Sequence, residues 1–164
     1  MQRSALTESV REFIESELWL LDNGQLSEWL DLFDPQGIYW LPVNPSETTP
    51  DRAPSLVYES RLALEARIRR LEDSRIVPQL PASRTCRFLS GLVCRALEDS
   101  LIEARAKCLT VEARPLHDPA DPQRIFAGVS TYRLVRVGES FKIRQKRVDL
   151  VNSEAGLHGV SILL

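Results

Sequence analysis

RIFAGVSTYRLVRVGESFKIRQKRVDLV, residues 124–151, decides the fold of this chain. It holds two long runs rich in β-branched and aromatic residues, Arg124 to Val137 and Ser140 to Val151, and each reads as a strand. Between them, Val137-Gly138-Glu139-Ser140 is a tight hairpin connection. Strands joined this closely are antiparallel neighbours. In the second run Phe141 and Ile143 share one face, whereas Val148 and Leu150 fall on the other. A strand of period two does this only across a bulge or a change of environment, so a bulge is expected near Gln145 to Arg147.

Two further strands precede this stretch, at residues 84–97 and 101–113. Glu98-Asp99-Ser100 separates them, and the loop Pro115 to Pro122 leads onward. Ser90-Gly91 inside the first marks a bend or close approach. Upstream the period changes. Leu6, Val10, Phe13, Ile14, Leu18 and Leu21 recur at three- and four-residue steps, on one face of a helix. Ser4 or Thr7 is the expected cap, and Gly24 suits a left-handed terminus. A second, short helix is expected around Leu26 to Phe33, with Trp29, Leu32 and Phe33 on its apolar side. Asp34-Pro35-Gln36-Gly37 reads as a turn, and Ile38 to Leu41 as a short strand. Pro42, Pro45, Pro50 and Pro54 make residues 42–54 a long loop. A third helix runs from about Ser60 to Asp73, with Leu64, Ile68 and Leu71 as its stripe; Pro78 and Pro81 end the connection after it.

Helices first and a meander of long strands afterwards define an α+β domain, 1–164, in which a curved, mainly antiparallel sheet wraps the N-terminal helices. The length of 164 residues suits one domain. A hydrophobic share of 43% and a charged share of 27% are ordinary for a soluble globular chain. The net charge is −2, from 21 basic and 23 acidic residues, and neither half is strongly basic, so nucleic acid is not suggested. No apolar run approaches the roughly 20 residues that span a bilayer. The charged N-terminus MQRSALTESVREF does not read as a signal peptide, and a cytoplasmic location is expected. Cys86, Cys94 and Cys108 are odd in number, form no C-x-x-C pair, and read as reduced, packed thiols.

Chemistry is sparse. His117 and His158 are the two histidines, and neither has a second histidine at helical spacing. No Gly-rich phosphate loop and no G-x-S-x-G elbow occurs. One catalytic alternative stands: Asp149 as a proton-transfer carboxylate in a cavity, with Tyr39 or Tyr58 as donor. Arg147 and Lys146 stand close enough to pair with Asp149 instead. Lys142, Arg144, Lys146 and Arg147 form the densest basic patch. Three of them alternate, which reads as one solvated face or as a contact for an acidic partner surface.

The segments in this order resemble the beta subunits of bacterial aromatic-ring-hydroxylating dioxygenases, the benzoate- and toluate-dioxygenase branch in particular. The resemblance rests on Glu28-Trp29-Leu30-Asp31-Leu32-Phe33 followed by Gly37-Ile38-Tyr39-Trp40-Leu41-Pro42. It continues through Ser55 to Arg61 and Leu64 to Ile68, then Pro81 to Thr85. Phe126-Ala127-Gly128, Tyr132-Arg133-Leu134, Lys146 to Asn152 and the closing Ser161-Ile162-Leu163-Leu164 complete it. Val129-Ser130 and Glu59-Ser60 depart from residues common in the family. The resemblance implies a cystatin-like, nuclear-transport-factor-like cone. It implies no cofactor in this chain, with the Rieske iron–sulfur cluster and mononuclear iron in a partner alpha subunit. It also implies an α3β3 assembly on a beta trimer, adding both atoms of O2 to an aromatic ring with electrons from NAD(P)H through a reductase. Interfaces favour Trp, Tyr and Arg, so Tyr39, Trp40, Tyr58, Arg61 and Arg84 are the expected contact residues. The competing readings are a stand-alone isomerase or dehydratase of the same fold, and a small-ligand binding module.

Overall fold

A computed structural model describes residues 2–73, 82–97, 100–113, 123–154, 160 and 162–164. The expected apolar stripe forms helix α1, Gln2–Asp22, which buries Val10, Phe13, Ile14 and Leu21. It starts earlier than Ser4 and Thr7, so neither position can be its cap. It ends as expected: Gly24 has φ +68, and the Gln25 N–H reaches back to the Leu20 carbonyl at 2.9 Å. Helix α2 is Leu26–Asp31, shorter than expected because Phe33 already belongs to strand β1, Phe33–Pro42. Strand β2, Ser55–Ser60, was not foreseen; its Ser60 hydroxyl then caps α3, Arg61–Glu72, by accepting from the Ala63 N–H at 3.3 Å.

The meander follows as β3 Arg84–Ala96, β4 Leu101–Ala113, β5 Gln123–Val137 and β6 Ser140–Leu150. The sheet order is β2-β1-β6-β5-β4-β3. All neighbours are antiparallel except β1 and β6, which run parallel. One apolar core, from Val10 and Ile14 through Trp29, Leu64 and Ile68 to Leu134, Ile143 and Leu150, joins the helices to the inner face of the sheet. The connections Pro115–Pro122 and Pro78–Pro81 lie outside the described residues, as do His117 and His158.

Two irregularities position the interior. Asp34–Gly37, expected as a turn, instead belongs to β1, where it bulges out of the pairing with β6. Phe33 pairs with Ile143 and Ile38 with Gln145, and between them the Gln36 N–H donates to the Asp34 carboxylate at 2.9 Å. The bulge in β6 is real, and falls at Arg144, one residue before the expected stretch. Arg133 pairs with Gln145 and Leu134 with Ile143, which leaves Arg144 without an opposite residue. The consequence corrects the reading of the basic run. Lys142 and Arg144 stay on the partly exposed side. Lys146 turns inward with Val148 and Leu150 and is 1% exposed. Ser90-Gly91 is likewise a bulge, with Gly91 at φ +66 and the register shifting between Ser90 and Val93.

Candidate functional site

In a cone of this kind the interior is where chemistry would be sought, and it holds a buried ionic cluster. Glu17 occupies the apolar stripe of α1, four residues after Phe13 and four before Leu21, and is fully buried. Its carboxylate accepts from three side chains. The Lys146 ammonium donates at 2.6 Å, the Trp29 indole N–H at 2.9 Å and the Tyr132 hydroxyl at 2.8 Å. The ammonium also lies 5.4 Å from the Tyr132 ring centre and 6.0 Å from that of Trp29. Four elements, α1, α2, β5 and β6, thus meet on one carboxylate. Burial pulls the Lys146 amine below its ordinary value, and the Glu17 charge opposes that shift. Burial pushes the Tyr132 phenol up, and the Glu17 charge pushes it further.

Leu163 and Leu164 are buried. The Leu164 N–H donates to the Tyr39 hydroxyl at 2.8 Å, and Arg87 donates to the Leu163 carbonyl. Arg87 is in turn held by Asp22, which also accepts from the Thr85 hydroxyl at 2.9 Å and from the Arg87 backbone N–H at 3.0 Å. Burial raises the Tyr39 phenol, with the Leu164 hydrogen bond opposing it. What remains beside Lys146, Tyr132 and Leu164 is a void of about 10 Å³. Such a space holds about one water, whereas ligand pockets run to roughly 300–1,000 Å³. Among the described residues, a carboxylate with three donors beside so small a void is placed to tie elements together rather than to act as a base on a substrate.

The catalytic alternative comes apart. Tyr39 is aligned with Lys146 across the β1–β6 pair and is buried, whereas Asp149 lies on the other face of the sheet. Asp149 is clasped by Arg147, at 2.9 Å to each carboxylate oxygen from Nε and 2.7 Å from Nη2. Tyr58 is half exposed and stacks edge-on against Trp40 at 6.2 Å. Among the expected contact residues, Tyr39 and Trp40 are enclosed by their own chain; the Trp40 indole donates to the Ser55 hydroxyl at 2.9 Å. Tyr58, Arg61 and Arg84 reach the surface, Arg61 beside Asp31 at 3.4 Å. The structure therefore does not bring the five together. Cys86 is exposed, Cys94 buried and Cys108 between the two, and none is bonded to another. Among the described residues no group of three His, Cys, Asp or Glu side chains is placed to hold a metal.

The sequence reading missed the Glu17 cluster. Two signals carried it: a carboxylate on an apolar stripe, and a lysine sharing parity with Val148 and Leu150.

Fold and interior together define an α+β cone in which, among the described residues, side chains fill the space around Glu17. Comparison with known proteins gives the same class a family. The model described as ring hydroxylating beta subunit matches residues 16–155. The 2-halobenzoate 1,2-dioxygenase small subunit of Burkholderia cepacia is 32% identical over 146 residues, 85% of each chain. The beta subunit of the benzoate 1,2-dioxygenase from Burkholderia mallei superposes with a TM-score of 0.73 at 24% identity, covering 94% of this chain and 95% of that one. A chain of naphthalene 1,2-dioxygenase, solved with indole bound in the active site, superposes with a TM-score of 0.82 at 20% identity, covering 98% and 86%. This chain belongs to the ring-hydroxylating beta-subunit family, and its cone is of the cystatin-like kind.

Proposed function

We propose that this beta subunit carries no active site and supports the assembly and stability of a large alpha subunit in an aromatic-ring-hydroxylating dioxygenase. The carrying observation is the closed interior: Glu17 saturated by Lys146, Trp29 and Tyr132 beside a void of about 10 Å³. That filling also speaks against a stand-alone isomerase or dehydratase and against an enclosed small-ligand module. In this reading residues 1–164 act as a single domain in the cytoplasm. The Rieske cluster and mononuclear iron belong to the alpha subunit, because Rieske ligation needs paired Cys and His and mononuclear iron needs two His and a carboxylate. The sequence holds only two histidines, His117 and His158, and no C-x-x-C pair. The complex is α3β3 on a beta trimer, and Tyr58, Arg61 and Arg84 contribute to its contacts, with Tyr39 and Trp40 shaping the surface from beneath.

Co-expression with an alpha subunit of the benzoate or halobenzoate type tests this. The expected result is co-purification, with iron and ring oxidation found only when the alpha subunit is present. Turnover by this chain alone, or its failure to associate with any such alpha subunit, overturns the reading.

A further inference from the structure

Opposite charges are segregated onto two exposed faces of this chain, and the faces fit each other. The first is a stripe on α1. Glu8, Glu12, Glu15 and Trp19 recur at four-, three- and four-residue steps, so they share one side of the helix, and all are exposed. Glu8 is near Arg11 at 3.7 Å; among the described residues Glu12 and Glu15 have no basic partner. Trp19 is 70% exposed. A tryptophan this open, on a helix that buries its opposite face, is available to a partner.

The second face is the outer side of β3, β4 and β5. The register sets its rows. Val93, Arg105 and Thr131 form one, Ser90, Lys107 and Val129 the next, and Arg133 stands across from Glu103. Arg105, Lys107 and Arg133 are exposed, and among the described residues none forms an ion pair; Glu103, opposite Arg133, is held by Arg95 at 3.1 Å. The next two rows are Phe88, Leu109 and Ala127, then Cys86, Val111 and Ile125. Phe88 is 55% exposed and Ile125 61%. The face therefore passes from cations to an apolar patch, as the α1 stripe passes from anions to a tryptophan. The lengths agree. Glu8 to Trp19 spans about 16 Å at 1.5 Å per helical residue. Arg105 to Val111 spans about 20 Å at roughly 3.3 Å per strand residue.

We propose that the α1 stripe of one copy docks on the outer face of β3–β5 of the next. Glu12 and Glu15 then oppose Arg105 and Lys107, and Trp19 packs on Phe88 and Ile125. The occupant is a second copy of this chain. Its net charge of −2 offers no general pull between copies, so the attraction lies in the segregation. Joining two different patches is a heterologous contact, which gives a ring where the rotation closes and a filament where it does not. In a threefold ring both patches of each protomer meet near the axis. Here they do meet: Glu15, Trp19 and Phe88 line one open groove of about 540 Å³ at the free edge of the sheet. Aromatic anchors beside arginine are the composition of interface centres. The proposal rests on the beta trimer of the assembly reading and adds the faces that build it.

The test is charge reversal in the full chain, alone and co-expressed with the alpha subunit, read by sedimentation velocity at about 100 mM salt, where surface charges still act over about 10 Å. Arg105→Glu with Lys107→Glu is expected to weaken self-association at least about tenfold, as is Glu12→Lys with Glu15→Lys; all four together recover most of the loss. Circular dichroism of each variant should match the wild type, since every position is exposed. Self-association unchanged by reversal, or not recovered by the four-fold variant, overturns these faces while the assembly function stands. Reversals that release the alpha subunit but leave the beta trimer intact assign the cations to the alpha subunit and overturn the self-contact. A wild-type chain that never self-associates, alone or in the complex, overturns it as well. Absence of any alpha-subunit binding strikes the assembly function instead.

Discussion

Lys146 and Arg147 are neighbours on one strand and spend their charges in opposite ways. Lys146 faces inward, sealed among Trp29 and Tyr132, and gives a proton donor to Glu17 at 2.6 Å. Arg147 faces outward, clasps Asp149, donates to the carbonyls of Glu47 at 2.6 Å and Pro45 at 2.8 Å, and stacks 4.4 Å from the Trp40 ring centre. The inner charge is consumed by the fold. The outer charge organises a surface, pinning the proline-rich loop between β1 and β2. A guanidinium suits the second task because its planar fork serves several acceptors and a ring at once. An ammonium suits the first because it is compact enough to be enclosed. The difference teaches where function can lie: the interior is finished, and the exterior offers contacts.

The largest expected effect breaks the inner pair. Lys146→Met or Glu17→Met alone leaves one buried charge without its partner and is expected to cost about 3–5 kcal/mol in urea unfolding. The double variant Glu17→Met with Lys146→Met restores part of that stability, because it removes both desolvated charges but leaves the Trp29 indole N–H and the Tyr132 hydroxyl without their acceptor. Equal losses in the single and double variants would mean that the pair is not coupled as the distances indicate.

A smaller effect appears at alkaline pH. Tyr39 and Tyr132 both have phenols raised by burial above the ordinary value of about 10. Above that value the unfolded chain loses protons that the folded chain keeps, so stability is full below about pH 10 and falls as pH rises through the folded values. Lys146 acts with the opposite sign, since its value is lowered, but only below the ordinary lysine value of about 10.5. Tyr39→Phe with Tyr132→Phe should flatten the alkaline limb of a stability-against-pH curve. A limb unchanged in that variant would place the titration elsewhere.

Much of the fold was legible. Period-two runs and the Val137–Ser140 hairpin gave the meander, and the parity switch between Ile143 and Val148 required a bulge in β6. Its position slipped by one residue because parity tells that a switch occurs, whereas hydrogen bonding across β5 decides at which residue. Lys146 fell on the wrong face because its alternation with Lys142 and Arg144 was read straight through that bulge. The parallel pairing of β1 with β6 and the strand at Ser55–Ser60 were not legible, since both depend on contacts far apart in sequence. Glu17 was not legible, because a carboxylate on an apolar stripe is tolerated only when donors arrive from elsewhere. Here they come from Trp29, Tyr132 and Lys146, none of which is its neighbour in sequence.

The central claim is that the interior of this subunit is structural and that ring oxidation needs nothing from it. The direct measurement is turnover per iron in a reconstituted complex carrying Glu17→Met with Lys146→Met, alongside one carrying Asp149→Asn. Both complexes are expected to assemble, hold full iron and oxidise substrate within about twofold of the wild type. An assembled, iron-replete complex that loses turnover by orders of magnitude in either variant would contradict the account.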